Sequence, residues 1–325
     1  MTSKSRSIDF AHRMPVIGIY IVLVLLLVVL ALINPSFFGI SSITDLIGVA
    51  LPLVFVSMAQ TIVVLVKGID LSVGPSVSLT TVFCASLMSS DGHNMVVVIV
   101  GALLIGILIG IINGGLVVLG GLQPIIVTLA MSSILIGASL FIMPQPGGTV
   151  PGSLNWLVAG DIGFLPVPFI LLVVVSFAIW WPLRHSQTGQ GLYATGGNEL
   201  GAYYSGVKVK RATLMAFVIG GLLAAIAGIV LTAQALSGDP LTGGPYTLNS
   251  IAAVVLGGTS LAGGKGGIVG TIAGALVLSI IVNILFFLGV SAYYQYVFNG
   301  LIVIVALAVV GLGEKFRGLK LREMK

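Results

Sequence analysis

Long apolar stretches follow one another along almost the whole chain, with charged residues confined to the short segments between them. Ten such stretches lie at roughly 14–34, 44–66, 73–90, 95–118, 123–143, 164–183, 212–235, 248–262, 266–287 and 294–312. Most approach the roughly 20 residues that an α-helix needs to cross a bilayer core. Only 7% of the residues are charged and the mean hydropathy is +1.20, which excludes an ordinary soluble domain. The sequence predicts an all-α membrane protein, with about ten transmembrane helices bundled in a single domain over residues 1–325.

The distribution of basic residues predicts how this bundle is oriented. If the amino terminus is cytoplasmic and the chain crosses ten times, all 14 Lys and Arg residues fall on the cytoplasmic side, where such residues accumulate. The opposite side then carries Asp45, Asp91, Asp161 and Asp239 without a basic residue. Both termini are therefore expected in the cytoplasm. The net charge of +5 reflects membrane orientation, and no nucleic-acid partner is expected.

One polar segment, residues 184–211, interrupts the apolar pattern and contains the signals of a short helix. The glycine pair at 196–197 is expected to break the chain, after which Asn198 is a suitable N-cap and Glu199 favours the first turn. Gly206 is placed to end the helix. The spacing puts Leu200, Tyr203 and Tyr204 on one face. A helix this short needs a docking surface, either the lipid surface or, as we favour, a groove in a soluble partner.

Two glycine-rich runs share a pattern and a place in the predicted topology. Gly68–Gly74 reads G-I-D-L-S-V-G and Gly258–Gly264 reads G-T-S-L-A-G-G, each after an apolar helix on the cytoplasmic side. The match predicts two internal repeats, an arrangement common in transport pathways. Asp70 and Ser72 suit a helix N-cap, whereas a carboxylate at membrane depth also suits a gate, and the sequence leaves both roles open.

The second run also resembles the end of a nucleotide-binding loop, because Gly264 is followed by Lys265. That motif requires a glycine five residues earlier and Ser or Thr after the lysine. Thr259 and Gly266 occupy these positions. The chain is therefore not expected to bind ATP through such a loop, and any energy must come from elsewhere.

Polar residues inside the predicted spans are few and mostly uncharged. They serve either as hydrogen-bonding links between helices or as the lining of a path for a polar, uncharged solute. No catalytic or metal site is expected, because the single Cys84 lies in a span and the histidines lie in loops or at span ends. An intramembrane enzyme would need a nucleophile or a pair of carboxylates within the membrane, and we find neither in the predicted spans. The polar residues are Gln60, Asn113, Gln123, Thr128, Asn249, Ser250, Asn283 and Asn299.

Four motifs in order resemble the membrane-spanning permeases of bacterial ribose-type ABC importers: Gly68–Gly74, Gln123–Thr128, Tyr193–Asn198 and Ile251–Ser260. The resemblance implies a multi-pass, ten-helix subunit of the bacterial inner (cytoplasmic) membrane that pairs with an identical or related permease. It implies a periplasmic binding protein that delivers a monosaccharide or small polyol. It also implies cytoplasmic ATPase subunits that hold ATP and Mg, so this chain binds no cofactor.

In that family the loop between the sixth and seventh spans couples to the ATPase, which maps here to residues 191–206. The expected coupling residues are Gly191, Gly196, Gly197, Asn198, Glu199, Leu200, Tyr203, Tyr204 and Gly206. The expected pathway or gate residues are Gly68, Asp70, Ser72, Gly74, Asn113, Gln123, Thr128, Asn249, Thr259 and Ser260. The sequence departs from the family at Lys67, where a second glycine is common, and in the fifth span, which lacks an arginine often found there.

The alternative reading is a secondary transporter driven by an ion gradient. Such a transporter needs titratable or unwound coupling sites near the bilayer centre. Asp70 with Lys67 is the one candidate pair, and the pair lies near a span end.

Overall fold

A computed structural model describes residues 3–33, 39–88, 92, 94–163 and 165–291, together with short pieces between 294 and 308. Most of the predicted span 294–312 lies outside the described residues, as do Asp91, His93 and Asn299. The helices are α1 (Ser3–Ile33), α2 (Ile40–Leu65), α3 (Val73–Leu87), α4 (Met95–Gly120), α5 (Pro124–Ile142), α6 (Gly152–Ala159), α7 (Val167–His185), α8 (Gln187–Gly197), α9 (Glu199–Tyr204), α10 (Val209–Ala235), α11 (Gly244–Leu256) and α12 (Ile268–Phe287).

The described residues form an all-α protein, as predicted, with one small addition. Strands β1 (Asp161–Ile162) and β2 (Leu165–Pro166) pair antiparallel, with Asp161 opposite Pro166. Helix α6 and β1 occupy a connection that the hydropathy pattern leaves unassigned, whereas β2 takes up the start of the predicted span 164–183.

Seven of the described helices are long and apolar enough to cross a membrane: α1, α2, α4, α5, α7, α10 and α12. The predicted spans 73–90 and 248–262 correspond to the shorter helices α3 and α11. The run at 248–262 overestimates α11 because the chain turns at Gly257 and Gly258, directly after Leu256. An apolar run therefore marks a buried segment without fixing where its helix ends.

The core of the bundle is built around α2, α3 and α10. Helix α3 is buried along nearly its whole length, including the only cysteine, Cys84. Cys84 is therefore a packing residue. Because α3 is enclosed by α2, α4, α5, α10 and α11, its amino-terminal end is fixed deep inside the protein.

Small residues let the central helices pack closely. A Cβ atom at Gly106 of α4 would overlap the carbonyl oxygen of Gly221 in α10, and one at Gly221 would overlap that of Gly106. Such contacts between small residues are typical of helix pairs in membranes. Outward faces of α4, α5 and α7 expose large apolar side chains, such as Leu104, Phe141 and Phe177, as expected for contact with lipid.

Candidate functional site

The polar segment (residues 184–211) contains the predicted short helix, with both of its predicted ends. The Oδ1 atom of Asn198 accepts a hydrogen bond from the backbone N–H of Gly201 (3.0 Å), so Asn198 caps α9. After the helix, Gly206 adopts a φ of +80° and the N–H of Val207 donates to the carbonyl of Ala202 (3.0 Å). This is the helix ending in which a left-handed residue is normally glycine.

Helix α9 exposes three large side chains that form an apolar and aromatic face. Leu200, Tyr203 and Tyr204 are 69%, 67% and 83% exposed, while Ala202 is buried beneath them. The rings of Tyr203 and Tyr204 meet edge to face with centroids 5.7 Å apart. A capped helix that holds three large apolar side chains away from its own protein presents a surface suited to a partner.

Helix α8 corrects the prediction that Gly196 and Gly197 break the chain. Both glycines lie in the last turn of α8, and the chain leaves the helix at Asn198. Gly196 is buried, and a Cβ atom there would overlap the carbonyl oxygen of Leu65, the last residue of α2. Glycine is present because two backbones touch. The contact joins segments that are far apart in the sequence.

Gly191 also lies deeper than a contact residue would. It is buried, and a Cβ atom there would stand 3.3 Å from the Cβ of Ala212. It forms part of the lining of a groove of about 550 Å³ between α8 and the start of α10, with Gln187, Gln190, Lys208 and Arg211 around it. This groove next to α9 is therefore basic.

Two turns with related sequences meet the end of α8. We call residues 66–72, between α2 and α3, the first glycine turn, and residues 257–267, between α11 and α12, the second glycine turn. The N–H of Gly264 donates to the carbonyl of Leu65 (3.0 Å). A Cβ atom at Gly264 would lie 2.5 Å from the nitrogen of Gly197, and one at Gly263 would lie 2.6 Å from Cγ of Lys67. We call this meeting of Leu65, Gly196, Gly197, Gly263 and Gly264 the glycine junction.

A side-chain bond reinforces this junction. The hydroxyl of Tyr193 in α8 donates to the carbonyl of Gly266 (2.8 Å) in the second glycine turn. Burial raises the pKa of Tyr193 above its usual value, partly opposed by the positive charge of Arg184. Tyr193 therefore stays a neutral donor. The sequence marked Tyr193 as a motif residue, but its partner comes from a distant part of the chain.

The first glycine turn is closed by buried polar groups that had been predicted as pathway residues. Oδ1 of Asp70 accepts hydrogen bonds from the N–H (2.8 Å) and the hydroxyl (2.6 Å) of Ser72. The amide of Asn113 in α4 donates to the hydroxyl oxygen of Ser72 (2.9 Å). Burial raises the pKa of the Asp70 carboxyl, and the two bonds from Ser72 oppose that rise.

Two further side chains hold the backbone of this turn. The side-chain amide of Gln60 in α2 bonds both backbone groups of Asp70. Its nitrogen donates to the Asp70 carbonyl (3.0 Å), and its oxygen accepts from the Asp70 N–H (3.2 Å). The hydroxyl of Thr128 in α5 accepts from the N–H of Leu71 (3.0 Å) and donates to the carbonyl of Ile69 (3.2 Å). We call Gln60, Asp70, Ser72, Asn113 and Thr128 the polar cluster.

Of the capping role predicted for Asp70 and Ser72, only the position of Ser72 directly before α3 is confirmed. Ser72 is the N-cap residue of α3, yet its side chain makes no capping bond and instead donates to Asp70. Asp70 closes the turn before the helix. The carboxylate therefore shapes the first glycine turn and does not cap α3.

The remaining predicted pathway residues are not members of the polar cluster. Gln123 is exposed before α5, and Asn249 is half-buried in α11. Thr259 and Ser260 close the second glycine turn, where the hydroxyl of Thr259 accepts from the N–H of Gly267 (3.1 Å). Gly68 and Gly74 do allow close approach, since a Cβ atom at Gly74 would overlap the carbonyl oxygen of Gly243.

Known proteins place the chain in a family. The family model described as the permease component of the branched-chain amino acid transport system matches residues 42–307. The chain is 37% identical to the ribose import permease of Escherichia coli (strain K12) over 294 residues, 89% of this chain and 91% of that protein. It is 36% identical to the ribose import permease of Bacillus subtilis (strain 168) over 311 residues, 94% and 96% of the two chains. It is 34% identical to the D-allose transport system permease of Escherichia coli (strain K12) over 312 residues, 94% and 95%. No solved structure matches the chain.

This chain belongs to the ribose-type family of ABC importer permeases, as its motifs predict. It is a multi-pass protein of the bacterial inner membrane and a transport subunit, not an enzyme. The described residues contain no group of three His, Cys, Asp or Glu side chains that would hold a metal ion.

Proposed function

We propose that this chain is the translocation subunit of an ATP-driven importer for a monosaccharide or a related small polyol. The observation that carries the proposal is α9, a capped helix whose apolar face is turned away from the bundle beside a basic groove. A binding face with an aromatic pair and neighbouring basic side chains suits a soluble protein partner. We assign that role to cytoplasmic ATPase subunits.

ATP and Mg then belong to the partner, and this chain supplies no catalytic residue. The glycine-rich sequence around Lys265 supports this view in two ways. It departs from the phosphate-binding pattern at Thr259 and Gly266. The N–H of Gly264 also donates to Leu65 and so is not directed at a phosphate.

A sugar is the proposed substrate because the relatives named above are ribose and allose permeases. The polar residues expected along the pathway are mostly neutral amides and hydroxyls, which suit an uncharged, hydroxyl-rich solute. A periplasmic binding protein would deliver the sugar. The pathway would form where two permease subunits, identical or related, meet.

The finer architecture is part of the proposal: ten spans in a single domain, two internal repeats and both termini in the cytoplasm. Support comes from the glycine junction, where Lys67, Lys265 and the polar segment lie at the same end of the bundle. The paired helix endings at α2 and α11 support the repeats. In both endings, two successive backbone N–H groups donate to valine carbonyls. The acceptors are Val63 and Val64 in α2, and Val254 and Val255 in α11.

The ATPase assignment predicts the effect of charge on α9. Replacing Leu200 and Tyr203 by Asp places carboxylates in the apolar face, and each change weakens ATPase binding by about 30-fold or more, as at interface hot spots. The measurement is co-purification of the ATPase with the detergent-solubilised permease. The matched control is Leu241→Asp, because Leu241 is 59% exposed and lies in the turn between α10 and α11, beyond the end of α10 that is far from α9. Full co-purification with the α9 variant would disprove the assignment.

The substrate is tested in the same preparation. Proteoliposomes that contain the wild-type complex and its binding protein are given labelled ribose, allose or leucine, with ATP inside. Uptake of a sugar is expected. Uptake of leucine alone would exclude a sugar importer, and accumulation driven by an ion gradient without the ATPase would support the secondary-transporter alternative.

A further inference from the structure

We propose that the glycine junction is a relay that carries movement of the polar segment to the first glycine turn, and that Gly196 and Tyr193 are its positioning residues. The inference rests on the proposed function, because the movement would be driven by the ATPase. The relay is a route from the polar segment, which contains α8 and α9, to the buried polar cluster.

The first step of the relay is contact between backbones. At Gly196 no side chain separates α8 from the carbonyl of Leu65, the residue that ends α2. Gly264 approaches the backbone of Gly197 in the same way and donates to that same Leu65 carbonyl. A shift of α8 therefore cannot be absorbed by a change of rotamer, because closely packed backbones move together.

The second step ties α8 to the second glycine turn at another point. The bond from Tyr193 to the carbonyl of Gly266 holds the turn against α8 about one helical turn before Gly196. Gly263 lies against Lys67, so the two turns also touch each other. Consequently α8, the end of α2 and the second glycine turn form one connected unit.

The last step leads from α2 into the polar cluster. Gln60, near the end of α2, holds both backbone groups of Asp70. The opposite side of the first glycine turn is held by Asn113 of α4 and Thr128 of α5, helices that do not form the junction. Movement of the end of α2 would pull Asp70 against these fixed partners. The bonds of Asp70 are thus where movement of the polar segment is converted into a change inside the bundle.

Two helical glycines, one inside the junction and one outside it, provide a matched test of this relay. The assay is hydrogen–deuterium exchange of residues 68–72 in the permease–ATPase complex, with and without a non-hydrolysable ATP analogue. The analogue should change exchange in the wild type and in Gly18→Ala, because Gly18 lies in α1, outside the junction, and a Cβ atom there meets nothing within 4 Å. In Gly196→Ala the response should fall about tenfold, since overpacking of this kind shifts an equilibrium by that order.

Tyr193→Phe keeps the ring and removes one hydrogen bond, so it tests the relay if Gly196→Ala fails to fold. Its response should fall about threefold, within the range for one hydrogen bond. ATPase co-purification should be unchanged in both variants. Equal responses in the wild type, Gly196→Ala and Tyr193→Phe, with the ATPase bound, would overturn the relay alone. Failure of the wild-type permease to retain the ATPase would instead overturn the proposed function on which the relay rests.

Discussion

The two glycine turns start alike and end differently. In the first, the N–H groups of Lys67 and Gly68 bond to Val64 (2.9 Å) and Val63 (3.0 Å). In the second, those of Gly258 and Thr259 bond to Val255 (2.9 Å) and Val254 (3.1 Å). Geometry therefore pairs Lys67 with Gly258, whereas the shared motif pairs Gly68 with Gly258. The helix endings are equivalent with a shift of one residue relative to the sequence match.

Beyond these endings the turns are stabilised in different ways. The first is closed by the side chains of the polar cluster, which reach it from three helices. The second is closed largely within itself and has positive φ at Gly258, Gly263, Gly264 and Gly266. The first turn is thus fixed by buried hydrogen bonds, and the second by backbone shapes and contacts with α8. A related sequence can therefore supply an internal anchor at one site and a contact surface at another.

The largest expected effect is a loss of stability when the backbone conformation of the second glycine turn is disturbed. Gly264→Ala places a Cβ atom on a residue with a φ of +70° and against the backbone of Gly197. Together, the left-handed strain and the overlap should lower the free energy of unfolding by about 2–4 kcal/mol. Denaturation of the purified protein in detergent measures this loss. Gly244→Ala is the control, because a Cβ atom at Gly244 meets nothing within 4 Å.

A pair of threonines tests whether the first turn depends more on hydrogen bonds. Thr128→Val removes bonds to Leu71 and Ile69, and should cost about 1–3 kcal/mol of unfolding free energy. Thr259→Val removes the acceptor for a single N–H, that of Gly267, which is only half-buried. The smaller loss should therefore occur at Thr259. Equal losses in a denaturant titration would remove the distinction between the two turns.

The smallest effect concerns Lys67, where the two helix endings share a left-handed backbone but differ in residue type. Lys67 has a φ of +64°, while its geometric counterpart Gly258 has +79°. Lys67→Gly should raise the free energy of unfolding by about 0.5–1 kcal/mol, because relief of left-handed strain exceeds the entropy cost of glycine. The midpoint of thermal unfolding reports this gain. The reciprocal Gly258→Lys should lower the midpoint, and a Lys67→Gly variant that is no more stable would contradict the strain.

Features that depend on neighbouring residues were predictable from sequence, whereas contacts between distant segments were not. Asn198 and Gly206 bound α9 as predicted, since caps act within one turn of helix. Gly196 was predicted to break the chain but lies in the last turn of α8, because the carbonyl of Leu65 that requires a glycine there is far away in the sequence. Asn113 and Thr128 were selected as polar residues in apolar spans, but their common attachment to the first glycine turn appears only when α4 and α5 pack around α3. Gln123 and Asn249 were selected by the same criterion and lie elsewhere.

The burial of Cys84 has a practical consequence for measuring these movements. It is the only sulfhydryl in the chain and is fully enclosed in α3. A thiol-reactive probe should therefore react first with a cysteine introduced at an exposed site, such as Leu200 or Gly197. The natural protein can thus carry spectroscopic reporters on the polar segment without removal of its own cysteine.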